Sequence, residues 1–94
     1  MALTHAVMFT LAEPGDAAEA AKRLRAMAGR IPSLLSIEAG TSADGGAPHL
    51  LLVTRHDDAK ALQDYQDHPV HQELLGWIRP RIVGRTVVDS VDVG

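Results

Sequence analysis

The chain has 94 residues, of which 46% are hydrophobic and 22% charged, a composition typical of one globular domain with a single core. A net charge of −3 and scattered Lys and Arg residues argue against nucleic acid as a partner. No apolar run approaches the ~20 residues that span a bilayer, so no membrane partner is expected. The absence of cysteine and of a signal-peptide pattern predicts a cytoplasmic protein, with residues 1–94 forming one domain.

The first predicted elements are a strand and a helix. Apolar and other side chains alternate from Leu3 to Leu11, which predicts a strand with His5, Val7 and Phe9 on one face. A turn follows, and an alanine-rich helix is predicted over residues 16–27, with an aspartate as its N-cap.

The middle of the chain predicts a hairpin. Residues 34–41 and 49–55 are expected to form strands, joined by a turn rich in Gly, Asp and Pro. The second of these strands is apolar on both faces, and we place His49, Leu51 and Val53 together on one of them.

A proline divides the second predicted helix. One of two aspartates caps a short helix that carries Tyr65 inward. Pro69 suits only a first helical turn, so the helix is expected to break at His68 and to restart over residues 70–78 with Leu74 inward.

The order of elements, completed by a strand over residues 82–91, is β-α-β-β-α-β, which predicts a ferredoxin-like α+β fold. The helices of such a fold cover only one face of the sheet. The other face is expected to carry an apolar patch of Ala6, Met8, Leu50, Leu52 and Val88. Because this patch is large for a monomer, we expect a second copy to cover it, so that two sheets pair into a dimeric α/β barrel.

Residues 65–71 concentrate the groups that can move a proton. A neutral histidine is a suitable base near pH 7, and a tyrosine hydroxyl can donate to a developing oxyanion or orient the imidazole. We therefore predict Tyr65 and His71 as catalytic residues beside an apolar pocket. The residues expected to line it are His5, Val7, Phe9, His49, Leu51, Val53, His68 and Leu74.

The same residues have structural interpretations, which remain open. His68 can cap the restarted helix, Tyr65 can be a core residue, and His71 can be a hydrogen-bonded, half-buried histidine. His56 is expected at the surface because two aspartates follow it. No close histidine pair on one element supports a metal site, so none is predicted.

Four stretches of the sequence resemble one known family. They are the opening strand from Thr4 to Phe9, Ile-Pro at 31–32, Tyr-x-x-His-Pro-x-His at 65–71 and Val-Val-Asp at 87–89. Together they resemble the stress-responsive dimeric α/β-barrel (Dabb) domain over essentially the whole chain. The resemblance implies a ferredoxin-like protomer and a homodimer that forms a barrel. No cofactor is predicted.

One branch of that family, olivetolic acid cyclase, closes a ring by intramolecular aldol condensation. The resemblance implies that Tyr65 and His71 would carry its catalytic roles and that His5 and His49 would line its pocket. Three hypotheses stay open. The first is a small-molecule-binding protein that acts as a cyclase or lyase on a ketone-like ligand. The second is a non-catalytic stress-responsive protein, and the third is a cofactor-free monooxygenase of the related dimeric barrel type.

Overall fold

Four antiparallel strands and three helices form the structure, a computed structural model that describes residues 2–91. The sheet has the order β2-β3-β1-β4, and the ferredoxin-like prediction is confirmed. The strands are β1 (Leu3–Leu11), β2 (Ser36–Thr41), β3 (Leu50–His56) and β4 (Ile82–Val91), and the helices are α1 (Ala17–Arg25), α2 (Ala59–Asp67) and α3 (Pro69–Ile78). None of the helices in this part of the chain is both long and apolar enough to cross a membrane.

Strand β1 lies at the centre of the sheet between β3 and β4. Its odd-numbered side chains are buried and its even-numbered ones are half-buried or exposed, as the alternation predicts. His5, Val7 and Phe9 therefore lie on the face that the helices cover. We call this the covered face and the opposite one the open face.

The predicted orientation of β3 is wrong. Leu50 and Leu52 are buried on the covered face, whereas Leu51 and Val53 lie on the open face. The sequence of β3 is apolar on both faces and therefore does not reveal which face turns inward. Pairing with β1 decides it, because Leu52 lies opposite the buried Val7. The apolar patch of the open face is formed by Ala6, Met8, Leu51, Val53 and Val88.

Polar side chains define where the helices begin. Asp58 caps α2, with its carboxylate accepting the Ala61 N–H at 2.8 Å. His68 caps α3 in the same way, and Pro69 takes the first helical position, so the predicted break is present. Asp16 does not cap α1, because a 3₁₀ turn at Pro14–Asp16 leads directly into that helix.

Two arginines stack on the ring of Trp77, on the side of α3 that faces α1. Trp77 is only partly buried. The guanidinium groups of Arg23 and Arg81 lie over its ring, 4.3 and 4.2 Å from the centroid. Arg81 also donates a hydrogen bond to the Trp77 carbonyl.

Candidate functional site

A cavity of about 360 Å³ lies between α2, α3 and the covered face of the sheet. Val7, Phe9 and Leu52 form its apolar floor. The other side chains around it, most of them polar or charged, are His5, Gln66, Asp67, His71, Gln72, Leu75, Arg79, Ile82 and Arg85. An apolar space with a few polar groups directed into it is the usual form of a small-molecule site.

Helix α3 contributes one side of the cavity through residues spaced four apart. Because each residue of an α-helix turns by about 100°, His71, Leu75 and Arg79 lie along the same side and all three line the cavity. Leu74 lies outside it, contrary to the prediction, because its position on the helix is rotated toward the core next to Met27.

His5 is held by a carboxylate from the neighbouring strand. Its Nδ1 lies 2.5 Å from Oδ1 of Asp89, which is directly opposite in the β1–β4 pairing. A carboxylate can only accept, so Nδ1 donates and Nε2 of the neutral ring is left as the acceptor. The imidazole is 4% exposed and lines the cavity. This is the arrangement of a base whose tautomer is set by a carboxylate.

His71 is the second imidazole at the cavity. Its Nδ1 is buried and has no hydrogen-bond partner among residues 2–91. Burial lowers the pKa of His71, against the opposing effect of a hydrogen bond with the backbone of Gln66. The positive charges of Arg79 and Arg85 lower this pKa further. The ring is therefore neutral at pH 7 and able to accept a proton.

Tyr65 lies behind His71 rather than in the cavity wall. It is completely buried, and its ring meets the imidazole of His71 edge-on with centroids 4.6 Å apart. Its hydroxyl has no hydrogen-bond partner in the described part of the chain. Burial raises the pKa of Tyr65 far above its ordinary value, so the hydroxyl stays protonated. Its contact with His71 suits a role in orienting that ring.

His56 is fully buried, and the prediction that it lies at the surface is wrong. The strand continues to His56, whose side chain falls on the covered face with Leu52 and Thr54. Nδ1 donates to the Ser33 carbonyl at 2.9 Å, and the Thr54 hydroxyl donates to Nε2 at 2.8 Å. Burial lowers the pKa of His56, so both bonds are made by a neutral ring.

Two other histidines that the sequence assigns to the pocket lie outside it. His49 is buried at the other end of β1, where its Nδ1 accepts the Leu11 N–H at 3.0 Å. His68 uses its Nδ1 to accept the Val70 N–H at 3.1 Å, which satisfies a free donor of the first turn of α3. Of the four polar residues expected to converge, His5 and His71 line the cavity, and Tyr65 reaches it only through His71.

Leu51 and Val53 are also excluded from the cavity, because β3 turns these side chains to the open face. The residues of the covered face that replace them come from β3 and β4. Leu52 takes the place expected for Leu51, and Arg85 lies beside Phe9 through the β1–β4 pairing.

The charged groups of the site were not found from the sequence. Asp89 is in a stretch that the family resemblance includes, and strand pairing was the missing information that places it against His5. Arg79 could have been found from its spacing, since it directly follows α3 and stands eight residues after His71. Within residues 2–91 no three histidine or acidic side chains are grouped in a way that could hold a metal ion.

Solved structures share this fold. A dimeric ferredoxin-like protein of unknown function from Jannaschia is 26% identical over 99% of this chain and 100% of its own, with a TM-score of 0.77. A similar dimeric protein from Thermobifida fusca is 24% identical, covers 96% of this chain and 90% of its own, and has a TM-score of 0.82. A Chloroflexus aurantiacus protein, provisionally described as an antibiotic biosynthesis monooxygenase, is 17% identical with a TM-score of 0.84, over 100% of this chain and 95% of its own.

Sequence comparison identifies the family. No curated protein matches the chain. The profile of the stress responsive A/B barrel domain, Dabb, matches residues 3–92. This match covers the strands and helices that build the cavity, including β4 with Asp89 and Arg85. The chain therefore belongs to the stress-responsive A/B barrel (Dabb) family.

Proposed function

We propose that this protein binds a small ketone-like molecule in the cavity and moves a proton at the carbon next to its carbonyl group, without a cofactor. This is the chemistry of an aldol-type cyclase or lyase, the first hypothesis from the sequence. The observation that carries it is the presence of two imidazoles, His5 and His71, on one cavity whose floor is apolar. Family membership supports the binding of a small molecule.

His71 serves as the base in this proposal. A neutral imidazole is required to take the proton, and burial keeps His71 neutral. Tyr65 positions the imidazole through the edge-on ring contact. This favours the orienting role of Tyr65 over direct donation to the oxyanion, because the tyrosine is not among the side chains that line the cavity.

The His5–Asp89 pair serves as the second proton carrier. Asp89 holds the imidazole by Nδ1 and stabilises the positive charge that forms when Nε2 accepts a proton. Once Nε2 has taken a proton from solvent, the pair can deliver it to the carbonyl oxygen as His71 removes the carbon-bound proton, and His71 then passes its proton to the product carbon or to solvent. Two such groups allow proton removal and proton delivery within one cavity, as ring closure or carbon–carbon cleavage needs.

Exchange of carbon-bound hydrogen tests the proposal without knowledge of the natural substrate. 2-Hexanone and 5-oxohexanoate are incubated with the protein in D₂O, and loss of the signal of the hydrogens next to the carbonyl is followed by ¹H NMR. We expect exchange above the rate in buffer for at least one of the two. Saturable binding of both compounds with exchange no faster than in buffer would favour the non-catalytic hypothesis.

We further propose a homodimer in which the open faces of two sheets meet as a barrel. Met8, Leu51 and Val88 expose large apolar side chains on that face, which a second copy would remove from water. Two of the similar structures are described as dimeric. Sedimentation at micromolar concentration should give a dimer, and Leu51→Glu should shift it to monomer. A parent protein that sediments as a soluble monomer would contradict the barrel. The cytoplasmic location is a separate prediction from the sequence and stays one.

A further inference from the structure

Two arginines at the mouth of the cavity have no partner of their own. Arg79 and Arg85 line the cavity, and within residues 2–91 neither guanidinium makes a hydrogen bond or an ion pair. Other arginines are engaged: those at positions 23 and 81 stack on Trp77, and Arg25 donates to a backbone carbonyl. The two at the mouth thus differ from these three arginines in lining the cavity and in having no partner among residues 2–91.

The two guanidinium groups reach the mouth from different elements. Arg79 ends the side of α3 that carries His71, and Arg85 lies on the covered face of β4, opposite Phe9. Both positive charges act on His71, whose pKa they lower. They are therefore close enough to the imidazole to hold one part of a ligand while another part contacts His71.

Within residues 2–91 no carboxylate forms an ion pair with either of these arginines. Asp89 is bonded to His5, and Asp67 accepts a hydrogen bond from the Gln63 side chain at 2.9 Å. The whole chain carries a net charge of −3, yet its cavity mouth is lined by two cations and one anion. A local excess of positive charge in a negatively charged protein favours an anionic ligand.

We propose that the cavity takes a small carboxylate whose apolar body lies on Val7, Phe9 and Leu52 and whose carboxylate group is bound by Arg79 and Arg85. The proposal rests on the small-molecule site proposed above and names the class of its ligand. The planar guanidinium fork matches a carboxylate in two parallel hydrogen bonds. The Asp67 carboxylate at the same rim disfavours a doubly charged phosphate ester. A volume of about 360 Å³ is near the lower end for ligand sites, which fits a short chain or a single ring.

A matched set of six-carbon compounds tests the charge requirement. Hexanoate, 1-hexanol and hexyl phosphate share an apolar body and differ in the head group. Their binding is measured by NMR titration of the backbone amides, which reports weak binding and requires no turnover. We expect hexanoate to bind at least about tenfold more tightly than 1-hexanol, and this preference to fall as salt is added.

Three variants identify the arginines responsible. Arg79→Gln and Arg85→Gln should each weaken hexanoate binding by about ten- to hundredfold and leave 1-hexanol binding unchanged. Arg30→Gln makes the same charge change outside the cavity and should bind hexanoate like the parent. Arg85→Lys should recover part of the lost affinity, which separates the loss of charge from a local change of β4.

The possible results separate this proposal from the proposed reaction. The carboxylate proposal is overturned if hexanoate binds no more tightly than 1-hexanol. It is also overturned if the preference for hexanoate over 1-hexanol survives in both glutamine variants. Tighter binding of hexyl phosphate would overturn the carboxylate assignment in favour of phosphate esters. Hexanoate binding without any hydrogen exchange would contradict only the reaction, whereas exchange without a preference for hexanoate would contradict only the anion site.

Discussion

Two histidines that contact the ring of Tyr65 differ in how completely their ring nitrogens are bonded. His56 lies 4.9 Å from the tyrosine ring, and both of its nitrogens are bonded to protein groups. His71 lies 4.6 Å from the same ring, lines a cavity, and has a buried Nδ1 with no partner among residues 2–91. Burial lowers the pKa of both, so a shifted pKa alone does not identify a functional histidine. What separates His71 from His56 is an unpaired ring nitrogen together with a place in the cavity wall, and our proposal rests on that difference.

The largest expected effect is on turnover in His71→Ala. Loss of the base should slow hydrogen exchange by a factor on the order of 10²–10⁴. The folded state should lose little stability, because His71 is only half-buried in a cavity wall. Exchange is followed in D₂O by NMR, and stability by thermal melting at a fixed protein concentration.

His68→Ala is the matched control for that variant. It removes the imidazole of His68, which belongs to the same motif as His71 but caps α3 and lies outside the cavity. It should lower stability by about 1 kcal/mol with turnover unchanged. Equal loss of turnover in both variants would show that the motif acts only through the fold.

His56→Ala, in contrast to His71→Ala, should lower stability strongly. The change removes a fully buried ring and leaves the Ser33 carbonyl and the Thr54 hydroxyl without their partner. We expect a loss of about 2–4 kcal/mol in the free energy of unfolding. For a domain of this size that lowers the melting temperature by on the order of 10–20 °C. A melting temperature like that of the parent would contradict the structural role of His56.

The pH dependence of stability should reflect both rings. Since burial lowers the pKa of His56 and His71 in the folded state, the unfolded chain binds more protons as the pH falls. Their contribution to stability is therefore fully present above about pH 6.5 and is lost as the pH falls through that value toward their lower folded pKa. Thermal melts between pH 5 and pH 8 should show this decline, and His71→Asn should reduce it. A melting temperature that stays constant or rises toward pH 5 would contradict the account.

Tyr65→Phe should have the smallest effect on stability. The hydroxyl has no partner in the described chain, so its removal should change the free energy of unfolding by less than about 1 kcal/mol. Turnover should stay near that of the parent, because phenylalanine keeps the edge-on ring contact with His71. If Tyr65→Phe and His71→Ala both melt well below the parent, these residues are structural and the catalytic assignment fails.

The sequence predicts elements better than it predicts which residues meet. The bounds of β1 and β4 and the break at Pro69 are those expected, because alternation and proline geometry are local properties. The face of β3 was wrong because its apolar residues face both ways and only pairing with β1 orients them. His56 was misplaced because the two aspartates after it suggested an exposed loop, whereas β3 extends to His56 and turns its side chain to the covered face.

The candidate site was predictable only in part. His5 and His71 were found because each lies on an element whose buried side is clear from the sequence. Asp89, Arg79 and Arg85 belong to the site through strand pairing and helix rotation over distances that a local pattern does not cover. Tyr65 was assigned to the cavity although its complete burial places it one layer behind.

The most direct test of the difference between His56 and His71 is an NMR titration of the histidine side chains with 5-oxohexanoate. The account predicts that the imidazole signals of His5 and His71 shift as the ligand binds, while those of His56 stay in place. Saturable binding that moves the His56 signals as far as those of His71, or leaves both His5 and His71 unmoved, would contradict it.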